Sequence, residues 1–173
     1  MVRALEEGPW TVMGHCLLIK KWQQGLTVTE MEFRMLKFWV QVHNLPIEML
    51  THKNALVIGS ELGRIVRIEE PITDGGLGRS FLRIRIEIDV DNHLVCGFWV
   101  PRKNLDKVWA NIKYERLADF CYGCGKIGHV VKHCSNYIGD VEETFNDIHK
   151  FVPHMRTTQA RGVHWSDLRG ERE

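Results

Sequence analysis

The chain has 173 residues, 44% of them hydrophobic and 26% charged, which allows one ordinary domain with its own core plus a small appendage. Its 23 Lys and Arg against 22 Asp and Glu leave it nearly neutral, so net charge gives no argument for a polyanion partner. Glu6 and Glu7 interrupt the N-terminus before any apolar run of signal length, and no stretch approaches a membrane span, which points to a reducing, intracellular protein of the nucleus or cytoplasm.

In chain order, Trp10 to Trp22 holds two short apolar runs around Gly14, the pattern of a hairpin or of a strand after a turn, and residues 23–32 read as polar loop. Phe38, Val40 and Val42 alternate with Trp39, Gln41 and His43 as a half-buried strand requires, and Asn44-Leu45-Pro46 ends it. Thr51 is placed to cap a helix over residues 52–62, with Ala55, Ile58 and Leu62 on one face and Gly63 as a left-handed stop. A short β-branched strand over residues 64–69 and a glycine-rich hairpin turn over residues 73–78 follow, the latter too short and misordered for a phosphate-binding loop.

The strongest strand pattern is residues 80–90: Leu82, Ile84, Ile86, Ile88 and Val90 face one way, Phe81, Arg83, Arg85, Glu87 and Asp89 the other. Asp91 and Asn92 turn the chain into a strand over residues 94–100, and residues 108–114 form a further one. Beyond Ser135 only a short helix over residues 141–151 is indicated, and the rest reads as a tail ordered on binding. The fold class expected is α+β, a mainly antiparallel sheet with one helix. The expected divisions are an α+β domain at residues 8–118, a metal-binding unit at 119–136 and an irregular tail at 137–173.

Chemistry concentrates at residues 121–134, where Cys121, Cys124, His129 and Cys134 follow a C-x2-C-x4-H-x4-C spacing. Three thiolates and one imidazole complete a tetrahedral Zn2+ shell with no open position for a catalytic water. Gly125 and Gly128 fall where the chain must turn tightly between ligands. His133 reads as an exposed neighbour, since Cys134 already completes the spacing. The remaining cysteines, Cys16 and Cys96, lie in apolar surroundings and read as buried thiols, with a disulfide between them left open. From Pro101 to Ser135 seven bases face three acids, an electrostatic footprint for phosphate, with a merely solvated basic face as the alternative.

Cys121, Tyr122, Cys124, Gly125, Lys126, Gly128, His129, Lys132 and Cys134 together resemble the CCHC zinc knuckle of retroviral and retrotransposon Gag proteins. The resemblance implies that Tyr122 and Val130 form a platform for an unpaired base while Lys126 and Lys132 meet phosphates; the alternative is that the two apolar side chains only cover the metal loop. Over about residues 8–134, the Trp39-Val40 strand with Asn44-Leu45-Pro46, the Ile58-Gly59 to Leu62-Gly63 helix end, and Tyr114-Glu115-Arg116-Leu117 leading into Cys121 resemble a plant domain of unknown function. That domain precedes such knuckles in proteins derived from LINE-type retrotransposons. This implies a partly RNA-recognition-like fold, shortened at its N-terminus, in a retroelement-derived nucleoprotein. Strand-helix-strand-strand is half of an RNA-recognition order, and neither aromatic motif of that fold is present. Trp39 and Phe81 are candidates for base stacking or for packing against the N-terminal elements that the resemblance leads one to expect.

The expected function is therefore zinc-dependent binding of single-stranded RNA or DNA, with self-association left open. The alternative is a zinc-stabilised protein-interaction or assembly module. No zinc-enzyme motif and no nucleophile with a recognisable partner set occurs, so an enzyme is not expected.

Overall fold

The computed structural model describes residues 5, 7–70, 79–135, 151 and 153–157. The helix expected over residues 141–151 and the glycine-rich loop at 73–78 lie outside them, except Phe151. The elements are β1 (Trp10–Val12), β2 (His15–Leu17), β3 (Met35–His43), α1 (His52–Leu62), β4 (Arg64–Glu69), β5 (Phe81–Asp89), β6 (Gly97–Arg102), β7 (Leu105–Glu115) and β8 (Arg156–Thr157). Strands β1 and β2 form a separate hairpin. The main sheet runs β4-β5-β3-β7-β6, antiparallel throughout, with β8 added to β7 in parallel. The described order holds one long helix, so the α+β expectation stands at that level.

The alternating strands form the core as their pattern requires. Phe38, Val40 and Val42 on β3 pair across from Ile86, Ile84 and Leu82 on β5, and all six are fully buried. Such a period-2 stripe fixes the register, because a one-residue slip would turn every one of these side chains to the other face. Helix α1 covers this side. Thr51 Oγ1 accepts from Asn54 N at 3.2 Å, and Ala55 and Gly59 face the sheet, with Ile58 and Leu62 packed against the core.

Gly63 does not stop the helix in a left-handed conformation; its φ of 160° is extended. Glycine is needed there for space, since a Cβ would lie 2.6 Å from the carbonyl oxygen of Glu87. Two strand boundaries also differ from the expected ones. Strand β6 begins at Gly97, because Leu94 N is instead bonded to Gly125 O at 2.8 Å, and β7 starts at Leu105 across a tight turn at Asn104, whose φ is 59°.

The second face of the sheet holds charges, yet part of it is closed to solvent. Arg83 is 6% exposed and Glu115 1%. Arg83 donates Nε to Glu115 Oε1 at 2.7 Å and Nη2 to Oε2 at 2.8 Å, a bidentate pair. Gln41 Nε2 donates to the same carboxylate at 2.8 Å, and His43 donates to Gln41 Oε1 at 2.8 Å. Burial, with the Lys113 charge adding, takes His43 from its ordinary 6.5 down to about 4, so the ring is neutral at physiological pH. Trp39 lies under the Arg83 guanidinium, 3.9 Å from its centroid, and Phe81 stacks on His43. Both aromatics are thus engaged within the domain.

Of the expected tail at residues 137–173 only 151 and 153–157 are described, and these pack on the domain. Met155 is fully buried, Arg116 N donates to Thr157 O at 3.0 Å, and Phe151 stands edge-on to Phe120. Among the described residues no helix is long and apolar enough to cross a membrane.

Candidate metal centre

Strand β7 delivers the chain directly into the Cys-His loop. Phe120 and Ile127 form an antiparallel bridge that closes the first half of the loop, and both side chains are buried in the core. Cys121 N donates to Lys126 O at 2.9 Å and Gly125 N to Cys121 O at 2.7 Å, which wraps the backbone around the first two cysteines. Gly125 and Gly128 have φ of 76° and 101°, as the tight turns require. At Gly125 a Cβ would also strike the Phe151 ring.

The ligand atoms of Cys121, Cys124, His129 and Cys134 all lie within 4.8 Å of one another, and Cys124 Sγ is 3.3 Å from His129 Nε2. Zinc-sulfur bonds of about 2.3 Å in a tetrahedron place sulfurs about 3.8 Å apart, so the four donors fit that ion with little movement. His133 is exposed and lies outside the group.

The first two thiols are shifted in opposite directions. Burial opposes the Cys121 thiolate, but hydrogen bonds from the backbone of Cys124 and Gly123 and from the Cys124 and Cys134 thiols outweigh it and hold Cys121 below the ordinary thiol range. Cys124 is raised to about 11, first by burial and then by its neighbouring thiols, against the Lys126 backbone hydrogen bond. The Cys124 proton must leave when a metal binds, so affinity falls as pH falls. Cys16 and Cys96 are free thiols outside the cluster, both shifted upward by burial, and Cys16 Sγ donates to Ala118 O at 3.3 Å.

One supporting residue escaped the sequence reading. The Asp119 carbonyl accepts from Gly128 N at 2.8 Å and from the backbone N of the ligand His129 at 3.1 Å. Its carboxylate accepts from Cys16 N and from His15 Nδ1, each at 2.9 Å, and so ties the β1-β2 hairpin to the loop. On the other side His93 donates to Cys124 O, and Leu94 N to Gly125 O. The signal in the sequence is an acid two positions before the first ligand, and the partners of its carboxylate are over 100 residues away. We expect Asp119→Ala to release the hairpin while zinc affinity changes by less than about 10-fold, because the carbonyl that holds the backbone of His129 is kept. Competition with a chromogenic zinc chelator measures the second effect, and hydrogen exchange at residues 10–17 the first.

Residues 103–136 match the zinc knuckle family of CCHC type. This segment is a CCHC zinc knuckle. The match begins at Lys103, so it includes β7, the strand that carries the knuckle. An uncharacterized protein of Arabidopsis thaliana is 23% identical over 138 residues, covering 78% of this chain. The chain spans 42% of that relative's length. No solved structure matches the chain.

The residues expected to touch nucleic acid lie around the knuckle ligands. Tyr122 is half-buried and stands edge-on to Phe120, ring centroids 5.0 Å apart. Val130 is 44% exposed, Lys132 is exposed and Lys126 is half-buried.

Proposed function

We propose that this chain binds single-stranded RNA or DNA through a zinc-held knuckle. The observation that carries the reading is the convergence of four zinc donors in a loop that also offers an aromatic ring, an exposed valine and two lysines. An unpaired base stacks on Tyr122 and Val130, while Lys126 and Lys132 neutralise phosphates. Single strands suit this surface better than duplex, because a base already stacked in a helix must first be unpaired. A closed four-ligand shell leaves no position for substrate or water at the metal, so zinc here holds a binding module together and is not itself catalytic. Its setting, on this reading, is a retroelement-derived nucleoprotein inside the cell.

The test separates ring from charge. Tyr122→Ala is expected to weaken binding of a short single-stranded RNA by about 5-fold or more, the lower end of the stacking contribution of one base. Zinc content should stay at one per chain, and Tyr122→Trp should restore affinity. Lys126→Ala and Lys132→Ala should each flatten the slope of log affinity against log salt by about 0.7. If Tyr122→Ala has no effect at any salt concentration, the knuckle does not read bases.

A second reading is favoured by the Asp119 network and by the contact of Phe151 with Gly125, which knit the knuckle into the domain. On that reading zinc stiffens a protein-assembly module, self-association included. A zinc-loaded chain that binds no oligonucleotide but sediments as an oligomer would establish it.

A further inference from the structure

The β6-β7 hairpin lies away from the zinc donors in sequence, yet it carries its own aromatic and basic side chains. Strand β6 is an edge of the sheet, and it contains Pro101, a residue that edge strands accommodate. Trp99 on β6 pairs directly with Trp109 on β7, the rings 5.3 Å apart and crossing at 71°. Trp99 is 43% exposed although an indole of this size is usually mostly covered. Lys107 Nζ sits 4.8 Å from the centre of the Trp99 ring. Arg102 and Lys103 are exposed at the turn, against the single acid Asp106. Arg102 Nε donates to Asp106 O at 2.6 Å, which holds its guanidinium at the hairpin end.

We propose that this hairpin is a second contact for single-stranded nucleic acid, with Trp99 stacking a base and Lys107, Lys103 and Arg102 meeting the flanking phosphates. The proposal rests on the nucleic-acid reading of the knuckle in so far as one strand engages both. A half-exposed indole with one ammonium over its ring and two further cations at the adjoining turn is complementary to a base between phosphates, because every base offers a π-face and every linkage a negative charge. An apolar protein partner would have to desolvate the ammonium that lies over the ring. Six steps along the strand lead from Trp109 to Glu115, about 20 Å at the usual rise, so the hairpin and the knuckle are distinct contacts.

Single-stranded oligonucleotides of about 4 and about 16 nucleotides, the usual span of site sizes, are titrated into the zinc-loaded full chain by fluorescence anisotropy. Trp99→Ala is made both in the unaltered chain and in Tyr122→Ala, and thermal melting checks that the fold is kept. The expected result is a loss of about 5-fold or more for the longer oligonucleotide in both backgrounds, recovered by Trp99→Tyr. Lys107→Ala should flatten the salt slope by about 0.7. Equal affinity with and without Trp99 in both backgrounds overturns the proposal, and if Tyr122→Ala still weakens binding, the knuckle reading survives it. A Trp99 effect with a silent Tyr122 leaves the hairpin standing and removes the knuckle. Loss of self-association in Trp99→Ala with oligonucleotide affinity unchanged also overturns it and assigns the indole to a second copy of the chain. No binding of either oligonucleotide overturns both readings.

Discussion

Cys124→Ser is expected to lower zinc affinity by more than about 100-fold, the upper end of what losing a mere supporting hydrogen bond to a metal ligand costs. The loop from Cys121 to Cys134 should then lose its fold, because the apparent binding free energy of such sites, about 10–16 kcal/mol, is also their folding free energy. The effect should spread. Asp119 joins the loop to the β1-β2 hairpin, and Gly125 touches both Leu94 and Phe151, so exchange protection should fall in residues 10–17 as well as in the loop. Strands β3 and β5, whose core side chains lie under α1, should keep theirs. Protection unchanged in the hairpin after zinc is lost would show the knuckle to be an independent bead on the domain. Acidification should mimic the variant, since protons compete with the metal for the thiolates and the imidazole.

The second large effect is expected on the opposite face of the sheet. Removing Glu115, as in Glu115→Ala, takes the bidentate partner from buried Arg83 and leaves it only the longer contact to Glu69 at 3.2 Å, so the chain should lose about 3 kcal/mol in urea unfolding, the low end for breaking a buried pair. The same change also orphans Gln41 Nε2. In Arg83→Met/Glu115→Leu both charges go together, so the loss should be much smaller than the sum of the single changes. Additive losses would mean that the two residues act separately, and would contradict the pairing.

These two sites differ in how far the sequence announces them. The zinc donors are local, four side chains within fourteen positions at a spacing that only one chemistry requires, and the glycines between them have the positive φ their turns need. Strands β3 and β5 were legible for a similar reason. Their alternation is strict, and the buried stripes Phe38-Val40-Val42 and Leu82-Ile84-Ile86-Ile88 follow it residue by residue. The cap at Thr51 is also local and was found.

What escaped is set by distance along the chain. Arg83 sits among outward-facing charges, and nothing near it indicates that Glu115, 32 residues on, will bury it. Gly63 looks like a helix stop but is glycine because another strand's backbone passes close by. Asp119 gains its meaning from His15 and Cys16, and the parallel pairing of β8 with β7 depends on Met155 finding the core. A short two-residue strand with no periodicity gives no such sign in sequence.

On the proposed function, zinc shapes a surface for single-stranded nucleic acid. The direct measurement is anisotropy of a labelled single-stranded RNA titrated with the zinc-loaded chain, with the chain after chelation, and with the chain after zinc is restored, at salt from about 50 to about 200 mM. Binding is expected to require zinc, to return with it and to weaken steadily as salt rises. Equal binding with and without zinc, or none at the lowest salt, contradicts the proposed function.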